Sequence, residues 1–124
     1  MSKGGYKISD QKACYHLTFQ VVYWIDLFTR LCYRDIIIEI LDYYQKQQGL
    51  KIHAYVIMSN HIHMILSASQ AKNDLSSIVG RIKSLSTKKI IEAIKANNES
   101  RSEWILWMFK RAARKHQRNK TYQL

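Results

Sequence analysis

The segment Leu50 to Ser67, LKIHAYVIMSNHIHMILS, constrains the fold more than any other part of the chain. It holds two apolar runs, 50–58 and 61–67, on either side of Ser59-Asn60. Each run is short and rich in β-branched and aromatic residues, which fits a strand better than a helix. Asn tolerates a left-handed backbone, so Ser59-Asn60 reads as a two-residue turn. The segment is therefore expected to be a β-hairpin. Its first strand is fully apolar from Ala54 to Met58 and is expected at the centre of a sheet. A lone hairpin is unstable in water, so the rest of the chain must cover it.

That cover is legible in the hydrophobic spacing. CYHLTFQVVYW (14–24) reads as a first strand, and IDLFTR as a turn or short helical step. From Leu31 to Gln48 the apolar residues Leu31, Ile36/Ile37, Ile40/Leu41 and Tyr44 recur at helical spacing, with Gly49 as the terminal cap. ASQAKN is a loop and Asp74 an N-cap. A helix from Leu75 to Ala96 follows, with Leu75, Ile78/Val79, Ile82, Leu85, Ile90 and Ile94 on its apolar face. After NNES a last helix is expected from Ser102 to Gln117, with Trp104, Trp107/Met108 and Ala112 turned to the core. Residues 1–13 read as a loose arm.

The order β-α-β-β-α is that of a ferredoxin-like α+β domain: one antiparallel sheet with helices packed on one face, plus an extra C-terminal basic helix. The fourth strand of that plan is not evident. A chain of 124 residues fits one compact domain. Cys14 and Cys32 are too few for a disulfide framework and read as free thiols packed among apolar neighbours. Nothing resembles a signal peptide or a membrane span.

The net charge of +11 is unevenly spread. Residues 1–80 carry eight Lys/Arg and six Asp/Glu, whereas residues 81–124 carry twelve and three. A last third at +9 points to a polyanionic partner. The cations available to such a partner, nucleic acid or an anionic membrane surface, are Arg81, Lys83, Lys88 and Lys89 on the long helix, and Lys110, Arg111, Arg114, Lys115 and Arg118 on the last one. Trp104, Trp107 and Phe109 are candidates to stack on bases, though the two tryptophans are expected to fill the core.

His61 and His63 carry the candidate chemistry. Residues two apart on a strand point to the same side, so both imidazoles can reach one divalent ion while Ile62 enters the opposite face. Two ligands leave most of the coordination sphere open, which suits Mg²⁺ or Mn²⁺ gripping a phosphate rather than a closed structural zinc site. His16 and His53 are further candidates. The same pair also fits two partly exposed polar residues beside a turn. There is no glycine-rich phosphate loop and no C-x-x-C motif.

AYVIMSNHIHMIL resembles the signature of the IS200/IS605-like transposase superfamily, and more closely its REP-associated tyrosine transposases. The family motif is His-hydrophobic-His on a strand after an M-x-N turn, here Met58-Ser59-Asn60 followed by His61-Ile62-His63. Many members have Pro where Ser59 stands. HLTFQVVYWIDLFTR and LSSIVGRIKSLSTKKI match the family's first strand and basic helix. The resemblance covers about residues 14–95, and more loosely 101–124.

The resemblance implies metal-dependent cleavage and strand transfer of single-stranded DNA flanking hairpins. It implies Mg²⁺ or Mn²⁺ on His61 and His63, a bacterial cytoplasmic setting with nucleoid association on DNA, and either a homodimer or a monomer. A tyrosine would attack the scissile phosphate. The family carries it on a later helix resembling Y-I-H-x-N-P, which has no counterpart here, so residues 1–124 are expected to lack the nucleophile helix. Tyr122, in NKTYQL, is the one C-terminal tyrosine to weigh as a substitute. Tyr43, Tyr44 and Tyr55 are expected to pack. A non-catalytic ferredoxin-like nucleic-acid-binding module stands as the alternative.

Overall fold

A computed structural model of the chain describes residues 13–69, 74–97 and 101–115. Three strands form one sheet: β1 (Tyr15–Gln20), β2 (Leu50–Ile57) and β3 (His61–Ala68). Three helices accompany them: α1 (Leu31–Gln47), α2 (Leu75–Ala96) and α3 (Ser102–Lys115). The arm at residues 1–12 and Gln117, the expected end of the last helix, lie outside the described residues.

The sheet order is β1-β3-β2, with β3 antiparallel to both neighbours. β1 and β2 are thus parallel to each other, joined through α1, with β3 inserted between them. This is the split β-α-β plan of the expected α+β fold. The expectation of a central β2 is corrected: β3 is central and β2 is an edge. Most of Lys51–Val56 is exposed or half-exposed, so the apolar run of β2 does not reflect burial on both faces. Gln45 Oε1 of α1 accepts from the Ile52 N–H on that edge at 3.3 Å.

Alternation along β3 divides the sheet into two faces. Ile62, Met64, Leu66 and Ala68 are buried against the helices. Leu17 and Phe19 of β1 join them, with Ile37, Ile40, Leu41 and Tyr44 from α1 and Ile78, Ile82, Ile90 and Ile94 from α2. Each fully buried aliphatic side chain contributes roughly 1.5–3 kcal/mol. His61, His63 and Ile65 point to the other face. An irregularity between Ile52 and Ala54 leaves His53 without a register partner, so Val56 falls opposite His63 and Tyr55 opposite Met64.

α2 spans the expected residues, and Asp74 Oδ1 accepts from the Ser77 N–H at 2.8 Å as its N-cap. Gly49 follows α1 at φ +80°, the left-handed cap that glycine serves. On α1, Ile37, Ile40, Leu41 and Tyr44 are buried as expected, whereas Leu31 is exposed and Tyr33 takes the buried place near the start of the helix.

α3 corrects a further expectation. Its buried stripe is Ile105, Phe109, Ala112 and Ala113, while Trp104 and Trp107 are exposed. The run WILWMF is apolar around most of the helix, so two stripes at three- and four-residue spacing compete. The smaller side chains of the Ile105–Ala112 stripe allow the closer approach.

The expected first strand, 14–24, ends at Gln20. Two short 3₁₀ turns follow, at Val22–Trp24 and Leu27–Thr29. Tyr23 and Trp24 both have φ near +56°. A left-handed backbone at a residue with a Cβ costs about 1–2 kcal/mol.

Candidate metal and phosphate site

The turn between β2 and β3 is tied to the segment that leaves β1. The Val21 N–H donates to the Asn60 carbonyl at 3.0 Å, and the Phe28 N–H to the Ser59 carbonyl at 2.8 Å. The Met58 N–H donates to the His61 carbonyl at 2.8 Å and closes the turn. Neither Ser59 nor Asn60 has a positive φ, so the expected left-handed turn is corrected. Tertiary hydrogen bonds set its geometry instead.

His61 and His63 project side by side from this end of β3, with ring centroids 4.7 Å apart and planes nearly perpendicular. Both are half-buried. His61 Nδ1 lies 2.7 Å from Asn60 Oδ1. An amide oxygen only accepts, so that nitrogen carries the proton and Nε2 keeps its lone pair. His63 Nδ1 lies 3.0 Å from Thr18 Oγ1 and 3.2 Å from His16 Nε2. With the proton on His63 Nδ1, Thr18 or His16 accepts it and Nε2 is free; with Nδ1 accepting from either, Nε2 carries the proton. Neither Nε2 makes a hydrogen bond among the described residues.

Imidazole nitrogens are donors that a divalent ion accepts, and two of them would leave most of its coordination sphere open. Among the described residues no group of three His, Cys, Asp or Glu side chains converges into a closed cage. Outer partners that hold the second ring nitrogen orient a ligand and raise its basicity. Asn60 and Thr18 stand in those positions. Asn60 was visible in the sequence only as a turn residue. Thr18 gave no signal, because its place opposite His63 depends on the β1–β3 register. His16 does reach the pair. A depression of about 230 Å³ beside it is lined by His16, Tyr55, Val56, His63 and Ile65 among others.

His53 belongs to a different cluster. Its Nε2 lies 2.7 Å from Ser67 Oγ and 3.5 Å from Cys14 Sγ. Both cysteines are free and exposed, which corrects their expected packing role. Tyr44 is buried, whereas Tyr43 and Tyr55 are exposed. Tyr15 pairs with Leu66, in register with the helix-covered face, while Tyr55 pairs with Met64 and also lines the depression beside His63.

The candidate phosphate-binding cations fall in two places. Arg81 and Lys88 line an outer groove on α2 next to Tyr44 of α1, on the helix side of the sheet, and Lys89 is exposed on the same helix. Lys83 is half-buried, its Nζ 5.5 Å from the centre of the Phe19 ring. The sheet stands between this group and the two histidines. Lys110, Arg111 and Arg114 are exposed on α3, which packs against the Val22–Trp24 turn. Lys115 closes α3, while Arg118 and Tyr122 lie outside the described residues.

Arg101, just before α3, pairs with Asp26 beyond that turn. The guanidinium holds the Asp26 carboxyl below its ordinary range through a hydrogen bond, with charge attraction adding to it. The described residues contain no helix long and apolar enough to cross a membrane.

No curated protein matches the sequence. A solved structure that it resembles is that of a proposed transposase from Deinococcus radiodurans, at 26% identity and a TM-score of 0.52. The match covers 75% of this chain and 68% of that one. The family described as "Transposase IS200 like" matches residues 9–121, and DNA is the partner such membership implies. A match over nearly the whole chain, on a fold that brings the two histidines together, makes this protein a member of the IS200-like transposase family.

Proposed function

We propose that the protein cleaves and rejoins single-stranded DNA beside hairpins, with a divalent metal held by His61 and His63. The observation that carries this reading is the fixed orientation of the two rings. Asn60 and Thr18 engage their Nδ1 atoms, and both Nε2 atoms stay open on the same sheet face. A bound Mg²⁺ or Mn²⁺ would supply Lewis-acid polarisation of the scissile phosphate. Asn60 holds His61 in the tautomer that would leave Nε2 for the ion, and Thr18 and His16 orient the His63 ring.

The chemistry exchanges one phosphodiester for another. A tyrosyl oxygen displaces the 3′-oxygen, which leaves as a free 3′-OH, and the 5′ side stays linked as phosphotyrosine. Among the described tyrosines, Tyr33 and Tyr44 are buried, Tyr55 lines the depression beside His63, and Tyr23 is exposed where β1 leaves the sheet. The family resemblance would put the nucleophile on a separate helix, outside residues 13–115. Basic residues of α3 would position the strand through its phosphates, a contact that carries little sequence information.

The open face argues against the alternative of an RNA-recognition module. Such modules stack bases on aromatic residues of the two central strands. Here β1 and β3 present His16, Thr18, Gln20, His61, His63 and Ile65 instead. The test is Mn²⁺ titration followed by electron paramagnetic resonance. Wild type is expected to bind one ion, with at least a tenfold loss in His61→Ala and in His63→Ala. Equal binding by wild type and both variants would remove the metal assignment. Mn²⁺-dependent cleavage of a labelled hairpin-flanked single strand, assayed with the gene's full-length product, tests the reaction itself.

A further inference from the structure

Trp24 is 66% exposed and Tyr23 is 41% exposed, on a turn whose two aromatic residues both adopt a left-handed backbone. Surface positions with positive φ ordinarily carry Gly, Asn or Asp. Both side chains leave a large part of their surface in solvent, so inward packing offsets the strain only in part. Local strain that folding offsets only in part is a pointer to function.

The location sharpens this. The turn begins two residues after Gln20, the register partner of His61, and Val21 is bonded to the carbonyl of Asn60. The turn therefore leaves the sheet at the end that carries the histidines. α3 packs against the same turn, and the Asp26–Arg101 pair fastens the start of α3 beside it. On α3, Trp104 and Trp107 are each 49% exposed, and the Arg111 guanidinium lies 5.4 Å from the centre of the Trp107 ring. Exposed cations at Lys110, Arg111 and Arg114 accompany them.

We propose that Trp24, with Trp104 and Trp107 of α3, forms a stacking platform for unpaired bases of single-stranded DNA next to the histidine pair. Aromatic faces interleaved with cations fit that ligand: the rings take bases and the guanidinium and ammonium groups take phosphates. A chain carrying +11 selects a polyanion over an apolar protein surface as the occupant. Double-stranded DNA keeps its bases stacked internally and offers nothing to the rings. The inference rests on the reading of the protein as a single-strand enzyme, but it assigns residues that lie apart from the metal ligands.

The experiment uses fluorescein-labelled oligothymidylate and a hairpin duplex of equal charge, without metal, followed by fluorescence anisotropy over a range of salt. Trp24→Ala and Trp107→Ala are each expected to weaken oligothymidylate binding about tenfold. Duplex affinity and the salt dependence should stay as in wild type, and Trp24→Phe should recover most of the loss. Trp24→Gly removes the strained side chain; it should melt no lower than wild type while binding the single strand as weakly as Trp24→Ala. Wild-type affinity in both alanine variants overturns the platform alone. An equal loss on single strand and duplex overturns it too, in favour of a general electrostatic surface. A wild-type protein that does not bind oligothymidylate overturns the platform and the single-strand reading together. A change in sedimentation of Trp24→Ala with no change in DNA affinity assigns the patch to contact between copies of the chain, against the proposal.

Discussion

Asn60 Oδ1 stands 2.7 Å from His61 Nδ1, while the carbonyl of the same residue accepts the Val21 N–H at 3.0 Å. One residue thus fixes the first imidazole and ties the hairpin turn to the exit of β1. Removing the side chain leaves the backbone bond in place. Asn60→Ala is expected to lower Mn²⁺ affinity about 10–100-fold with little change in melting temperature. Titration by electron paramagnetic resonance beside a circular-dichroism melt separates the two effects. Unchanged affinity would show that the amide does not orient the ring.

Thr18 plays the matching part for His63 across the strand pair, at 3.0 Å. Thr18→Val keeps the shape and removes the hydroxyl. Mn²⁺ affinity should fall about tenfold, and Thr18→Ser should retain most of it. If Val and Ser variants bind alike, the hydroxyl has no role in presenting Nε2.

The two stripes of α3 make a stability prediction. Phe109 is fully buried and Trp104 is exposed. Phe109→Ala should cost about 3–5 kcal/mol through lost burial and the cavity left behind. Trp104→Ala should stay within about 0.5 kcal/mol of wild type. Urea denaturation of both decides it, and a larger loss at Trp104 would reverse the assignment of the helix face.

Gly49 sits at φ +80°, and a Cβ there would come 2.5 Å from Ser69 Oγ. Gly49→Ala is expected to destabilise by about 1–2 kcal/mol from the backbone alone. Adding Ser69→Ala should recover the contact and not the backbone part. Full recovery in the double variant would mean that the left-handed conformation carries no cost.

Asp26 titrates below the usual aspartate range because Arg101 binds its charged form. A depressed folded-state value stabilises the fold above the ordinary aspartate pKa, and that contribution is lost as pH falls through the folded value. Arg101→Gln should therefore melt slightly below wild type near neutral pH, by the equivalent of about 0.2–1 kcal/mol for an exposed pair. The two curves should converge in strong acid, below the folded-state pKa. A gap that persists there would point to a contact other than the ion pair.

The sequence by itself determined the hairpin, the three helices and the α+β class, because periodicity and turn chemistry are local. It also determined that His61 and His63 share a face, since that follows from strand geometry alone. What it left open depended on contacts between distant segments. The central place of β3, and the positions of Thr18 and His16 beside His63, follow from sheet register. The choice between the two apolar stripes of α3 was made by packing. Likewise, Val21 and Phe28 set the shape of the Ser59-Asn60 turn by taking its carbonyls, and no local signal marks either bond. Residues far apart in the chain meet only once the core has formed, so only the tertiary structure could show how the imidazoles are held, and which aromatic residues of α3 and the Val22–Trp24 turn stay exposed.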